Sequence, residues 1–519
     1  MATLSPVAPD DRFGMLDCVS YYAGVQPNRR AAHDLGTGLD LTWLQFDRRI
    51  DRCAAWLEAV LGAPEGERVA LLGRNSVDLL TVHFACIRIG AIFVPLNWRL
   101  TAGELKLLVQ DCTPRLLFVE PEFQETGKAL AEGGSIDRVF ALEPAAMAAA
   151  LAEAAERPSR ARPARADQPS TLLYTSGTTG RPKGVMVTER GAFASTLNFS
   201  LCTRLHAGSV MYCDMPLFHV AGLMSGARAP LMVGATLLVS PRFEPELALR
   251  RLSDPELGIT HTFYVTQMTQ TLREHPAYAR SDLSRLVCLV TGGAPNPAAN
   301  VQRWLDDGVI MADGFGMSEV GSGFNMPIDD PKLIRRKVGS SGLPLITLSF
   351  RIVGEDGREC GVGEVGELRL KGPSVTPGYW NQPETTAAAF DEDGWFRTGD
   401  LVHKDEDGFL FLVDRLKDMF ISGGENVYPT EVENIIAELD EVSEAAVIAV
   451  PDAQWGEVGL ACVVPVPGAT VDPEAVIAHV RSRLARYKAP KQVLVTHDLP
   501  RTASGKLQKN LLRERLKAT

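Results

Sequence analysis

A hydroxyl- and glycine-rich loop carries the densest chemistry in this chain. It runs through Thr175, Ser176, Gly177, Thr178, Thr179, Gly180 and Lys183 to Gly184, directly after the apolar stretch Thr171 to Tyr174. Glycines let successive backbone N–H groups turn toward an anion, the hydroxyls add donors and Lys183 adds charge. The loop therefore reads as a phosphate cradle. It is not a Walker A loop, since Gly-Lys-Ser/Thr is missing at the required spacing. A flexible linker would not need the ending Pro182, Lys183, Gly184.

Six further clusters hold residues suited to chemistry. They are Pro216 to Gly222 with His219; Gly292, Gly293, Ala294 and Pro295; and Asp313, Gly314, Phe315, Gly316, Met317, Ser318 and Glu319. The others are Trp395 to Leu401 with Asp400; Asp414 to Asp418 with Arg415 and Lys417; and Pro500 to Leu507 with Lys506. Taken singly, several have bland readings. A histidine beside apolar residues is usually a satisfied core residue, a strand ending in Gly-Gly is a common turn, and a lysine in a basic C-terminal stretch is usually solvated. Their order along the chain is what gives them weight.

In that order the motifs resemble those of AMP-forming acyl-CoA synthetases, in the superfamily of acyl-CoA synthetases, adenylation domains and firefly-type luciferases. The resemblance spans residues 171–507. It implies ATP, Mg²⁺ and coenzyme A as cofactors and a carboxylic acid as substrate. The 175–183 loop would hold the phosphates, and Gly293, Ala294, Pro295 and the segment Asp313 to Ser318 would form the adenine side, with Phe315 against the base. Thr175 and Glu319 would hold the metal, while Asp400 would accept the ribose hydroxyls and Arg415 would contact ribose or phosphate. Lys506 would bridge the acid and the α-phosphate, and His219 would border the acyl group. Phe315 and Ser318 stand where Tyr and Thr are frequent in the family, keeping the ring and the hydroxyl.

The resemblance further implies a hinge at Lys417 that lets a small domain serve two half-reactions. Gly423 and Gly424 would line the thiol tunnel, with Trp455, Tyr487 and Lys488 near the CoA nucleotide. Ala489 stands where relatives often carry a basic residue. His219, Ala221, Tyr264, Thr266, Gln267, Gly293 and Met317 are the expected acyl wall, mixed enough for an uncharged tail. Amino-acid-activating relatives place an Asp in the motif around His219 to pair the substrate ammonium. An aryl or phenylpropenoic acid such as ferulate, or a medium-chain fatty acid, is therefore expected. The competing readings are an enzyme that loads a separate carrier protein, a luciferase-like monooxygenase, and a non-catalytic binding module.

The elements that must position these residues follow from hydrophobic period. Val69–Leu72, a helix from Val77 to Ile89 and Ala91–Val94 read as a βαβ unit, with Asn75 and Ser76 available as caps. Similar alternation returns at 204–240 and 258–291, including strands Ala235–Val239 and Leu286–Val290, and Pro144 to Glu156 reads as a helix. From about 345 to 413 short alternating strands suggest a small antiparallel region, followed by a β-α-β pattern with helices at Pro429–Leu439 and Pro473–Arg486. The expectation is an α/β protein: a large N-terminal body of layered, mostly parallel sheets over 1–416 plus a small mobile α+β domain over 417–519.

Composition fits. The 519 residues suit more than one domain, and a net charge of −11 offers no basic field for nucleic acid. Nine scattered cysteines contain no C-x-x-C pair, so a reducing, cytoplasmic setting is expected without disulfides or zinc. No signal peptide or integral membrane segment is expected, and a homodimer is the assembly allowed for.

Overall fold

The computed structural model describes residues 17–154, 166–175, 182–294, 296–452, 454–501 and 507–517. Among them, strands group into four sheets. A six-stranded sheet holds the expected βαβ unit: Arg68–Leu72 and Ile92–Leu96 pair in parallel on either side of helix Val77–Ile89. Only Ser76 caps that helix, its Oγ accepting from Leu79 N–H at 3.0 Å. Asn75 is used differently. Its Nδ2 donates to the carbonyls of Met215 and Ser240, and its Oδ1 accepts from Leu217 N–H at 2.9 Å. All three bonds are buried, and losing them would strand groups at about 1–3 kcal/mol each. Asn75 thus fixes the chain entering the His219 segment.

The second sheet has nine strands. Its centre is the parallel run Thr236–Val239, Val210–Cys213, His261–Tyr264, Cys288–Gly292 and Met311–Met317, closed by antiparallel Gly321–Asn325. The strand expected at Leu286–Val290 begins at Cys288 because its parallel partner begins opposite, at His261. These strands read as apolar runs because helices cover both faces. Trp43, Trp304 and Tyr264 are among the fully buried side chains.

The expected antiparallel region is a four-stranded sheet, Ser349–Val353, Gly366–Lys371, Phe396–Lys404 and Leu410–Arg415. The fourth sheet lies wholly within residues 420–495, and its two apolar clusters draw only on residues between Phe420 and Leu516. The helix expected at Pro429–Leu439 ends at Ile436, Pro473–Arg486 ends at Arg483, and Pro144–Glu156 ends at Glu153. Architecture is therefore the large layered α/β body with a small C-terminal domain. Among the described residues, no helix is long and apolar enough to cross a membrane.

Candidate active site

In open α/β sheets a ligand cleft forms at the carboxyl ends of parallel strands. Here a cavity of about 1680 Å³ opens at that edge, reached by Met215 and Pro216 after one strand, Val265 after the next, Gly292 and Gly293 after the third, and Gly314 to Met317 on the fourth. Glycine at two of these strand ends is required by close approach. A Cβ on Gly292 would lie 2.8 Å from the Gly314 carbonyl oxygen, and one on Gly314 would lie 2.6 Å from Asn325 Oδ1. The backbones can therefore close up and leave peptide surface facing the cavity.

Much of the expected site converges there. Thr175, Lys183, His219, Ala221, Gln267, Gly293, Gly314, Phe315, Gly316, Met317, Ser318, Glu319, Arg415 and Lys417 all line the cavity. Thr175 and Lys183 pair across antiparallel strands Pro169–Thr175 and Lys183–Thr188, so both ends of the phosphate loop meet the wall. His219 and Ala221 stand where the chain enters a π-helix, Ala221–Arg228. Wide turns of this kind occur at functional sites.

Ser176, Gly177, Thr178, Thr179, Gly180, Pro295 and Lys506 lie outside the described residues. The chain on either side of 502–506 is placed, however. Arg501 pairs with Leu507, the Pro500 carbonyl accepts from Gln508 N–H at 2.8 Å, and Arg501, Gln508 and Asn510 line the cavity.

Asp400 sits behind the wall, 3% exposed, its Oδ1 3.1 Å from Arg415 Nε across paired strands. Lys417 is held below its ordinary pKa, by burial before any neighbouring charge.

Four expected wall residues are elsewhere. Tyr264 is fully buried, and its hydroxyl points to Asp214 Oδ2 at 3.4 Å. Side chains alternate along a strand, so its neighbours Phe263 and Val265 face the cavity instead. Thr266 turns back to the Ala294 carbonyl, and neither of those residues lines the cavity. Asp313 is buried and accepts from Thr291 Oγ1 at 2.7 Å. Burial, partly offset by Thr291, Gly314 N–H and Asn296, pushes its carboxyl up to about 7. Asp313 braces the strand from within and is not on the cavity wall.

The expected CoA residues are not on the cavity wall. Gly423 and Gly424, both with positive φ, turn the chain between Phe420–Ser422 and Glu425–Val427. Gly423 N–H donates to the Trp455 carbonyl at 2.9 Å, and a Cβ on it would strike the indole at 2.5 Å. Lys488 is bound to both oxygens of Glu431, at 2.9 and 2.7 Å, with its ammonium 6.0 Å from the Tyr487 ring centre.

Tyr379 was not expected. Its hydroxyl donates to Glu319 Oε1 at 3.0 Å, and the Lys183 ammonium stands 4.9 Å from its ring centre. It thereby ties the carboxylate to the end of the phosphate loop. Ser225 and Ser322 also face the cavity with their hydroxyls 3.3 Å apart, among Phe199, Phe263, Phe324 and Met215. The aromatic pair Tyr379, Trp380 in a glycine turn was the available signal for the first. Only the packing of helix Ala221–Arg228 against strand Gly321–Asn325 brings Ser225 to Ser322.

Comparison with known proteins identifies the family. The family model for AMP-binding enzymes matches residues 20–380, and that for the AMP-binding enzyme C-terminal domain matches 431–506. Feruloyl-CoA synthase of Amycolatopsis sp is 40% identical over 95% of this chain and 97% of its own. Indoleacetate–CoA ligase of Aromatoleum aromaticum is 35% identical over 96% and 97%. The solved structure of ATP-bound MatB from Rhodopseudomonas palustris, 31% identical, superposes with a TM-score of 0.88 over 97% of this chain and 99% of that one; its apo form gives 0.79 over the same shares. The chain belongs to the AMP-binding enzymes of the acyl-CoA synthetase superfamily: it is an acid–thiol ligase that uses ATP to join a carboxylic acid to coenzyme A through an acyl-adenylate.

Proposed function

We propose that the acid is an aryl or arylpropenoic acid carrying a ring hydroxyl, ferulate among them, and that one small domain serves both half-reactions by moving about Lys417. The observation that carries the substrate reading is the Ser225–Ser322 pair. It places two hydroxyls, bonded to each other, in an aromatic and apolar wall, where a ring hydroxyl finds a further partner that an alkyl tail does not use. The names of the feruloyl- and indoleacetate-activating relatives support the same class. His219, where amino-acid-activating relatives carry Asp, supports an uncharged tail.

Expelling oxide from a carboxylate is prohibitive, so the acid oxygen first attacks the α-phosphorus of ATP. The bond to pyrophosphate breaks, and that group leaves along the 175–183 loop. Lys506 bridges the two anions, whose repulsion would otherwise hold them apart. Phe315 lies on adenine, and Asp400 takes the ribose hydroxyls once Arg415 turns to the phosphates.

Mg²⁺ fits the donor set. The Glu319 carboxylate and Thr175 hydroxyl both line the cavity and are hard oxygen donors that would hold such an ion beside the phosphates. Bound there, it would neutralise charge on the phosphates.

In the second half-reaction the CoA thiol sulfur attacks the acyl carbon and AMP leaves with the bonding pair. Gly423 and Gly424 would admit the thiol arm once the domain has turned. AMP release should be measured with alkyl, benzoic and hydroxylated cinnamic acids, each with and without CoA. CoA-dependent turnover highest for hydroxylated aryl acids is expected. Alkyl acids doing as well would end the substrate reading, and adenylate formed with no CoA consumed would favour carrier loading.

A further inference from the structure

One carboxylate joins the C-terminal sheet to the cavity wall. Glu444 lies on strand Val442–Asp452 where its pairing with Gly456–Pro465 slips register between Val442 and Glu444. Such bulges re-aim a side chain. Oε1 of Glu444 accepts from Gln267 Nε2 at 3.3 Å, and Oε2 meets Arg501 Nη2 at 2.6 Å. Gln267 belongs to helix Thr266–Glu274 of the large body and, like Arg501, lines the cavity; Glu444 does not. Because Arg501 pairs with Leu507, holding Arg501 holds both ends of the segment that carries Lys506 in the sequence.

We propose that Glu444 is a positioning residue for adenylation: with one oxygen on Gln267 and the other on Arg501, it seats the C-terminal domain against the cavity wall. The inference rests on the two-state reading above. Gly423 is carried on the same sheet, through the Ser422–Gly456 pairing. A rotation that brings Gly423 to the cavity must move Glu444 away from helix Thr266–Glu274, so the Gln267 contact breaks for the CoA step while Arg501, in the same domain, travels with Glu444. Arg501 fixes the Glu444 carboxylate within its own domain, and the single bond from Gln267 to that carboxylate is the part that is made and broken between two domain positions, charge-assisted yet reversible within a turnover.

The two half-reactions separate this role from a general structural one. Acid-dependent exchange of labelled pyrophosphate into ATP reads adenylation. Single-turnover thioester formation from preformed acyl-adenylate and CoA reads the second step. Glu444→Ala is expected to lose about 10- to 100-fold in exchange while thioester formation is unchanged or faster. Glu444→Gln, which keeps an acceptor for Gln267 but no charge for Arg501, should fall between and carries the test should the alanine variant misfold. Combining Glu444→Ala with Arg501→Ala should cost less than the sum of the two. Equal losses in both half-reactions, no loss in either, or additive losses would overturn the proposal. A native chain without any pyrophosphate exchange would instead overturn the functional reading beneath it.

Discussion

At the carboxyl ends of the central strands, residues from separate parts of the chain face one cavity: Thr175 and Lys183, Gly293, Phe315 to Glu319, Arg415 and Lys417. On the C-terminal sheet the expected CoA residues engage their own neighbours. Gly423 is bonded to Trp455, and Lys488 is held by Glu431. The first group shares one cavity wall while the second lies off it. That contrast is what a ligase with two half-reactions and one mobile domain would display in its adenylating arrangement.

The contrast breaks most sharply at Lys506. Lys506→Ala should cut pyrophosphate exchange by about 10²- to 10³-fold, as loss of a group that stabilises transition-state charge does. Thioester formation from preformed adenylate should stay within a few-fold. Equal damage to both steps would erase the division between the two regions.

Gly423→Ala should do the reverse. The new Cβ meets Trp455 at 2.5 Å and φ is 61°, so strain of about 1–3 kcal/mol falls on the turn. The CoA step is expected to slow about tenfold with exchange intact. A loss confined to exchange would place this turn with the nucleotide.

Ser225→Ala sharpens the acyl end of the comparison. Removing one hydroxyl should lower the preference for hydroxylated over unsubstituted cinnamic acid by roughly 3- to 10-fold in kcat/KM, the worth of one neutral hydrogen bond. An unchanged ratio would move the ring hydroxyl elsewhere.

The smallest effect concerns the strand end beneath the site. Asp214 is buried with Oδ1 unpartnered among the described residues, and burial above all pushes it up to about 7. A carboxyl raised in the folded state contributes stability present below its ordinary value near 3.8, and that stability is lost as pH rises through about 7. Asp214→Asn should therefore melt at a temperature that gains on the native chain between pH 4 and 8. A constant difference would show that Asp214 does not titrate in that range.

How much was legible in the sequence divides along the same line. Period and turn chemistry located the βαβ unit, the antiparallel region and the C-terminal β-α-β segment, because local burial pattern sets those elements. Motif order led to cavity residues such as Phe315, Glu319 and Arg415. Tyr264 and Asp313 lie off the cavity wall because one step along a strand reverses the face, which sequence spacing does not reveal, and Thr266, first in helix Thr266–Glu274, turns to the Ala294 carbonyl. Tyr379, the Ser225–Ser322 pair and Glu444 were out of reach, since each acts through a partner far along the chain that only the fold brings near.

The most direct test is to follow one turnover with α-labelled ATP and a hydroxylated cinnamic acid, first without CoA and then with it. A stoichiometric acyl-adenylate that forms without CoA and converts fully to thioester and AMP when CoA is added is the predicted result. An adenylate that persists in the presence of CoA, or thioester made with no adenylate formed, would contradict the account.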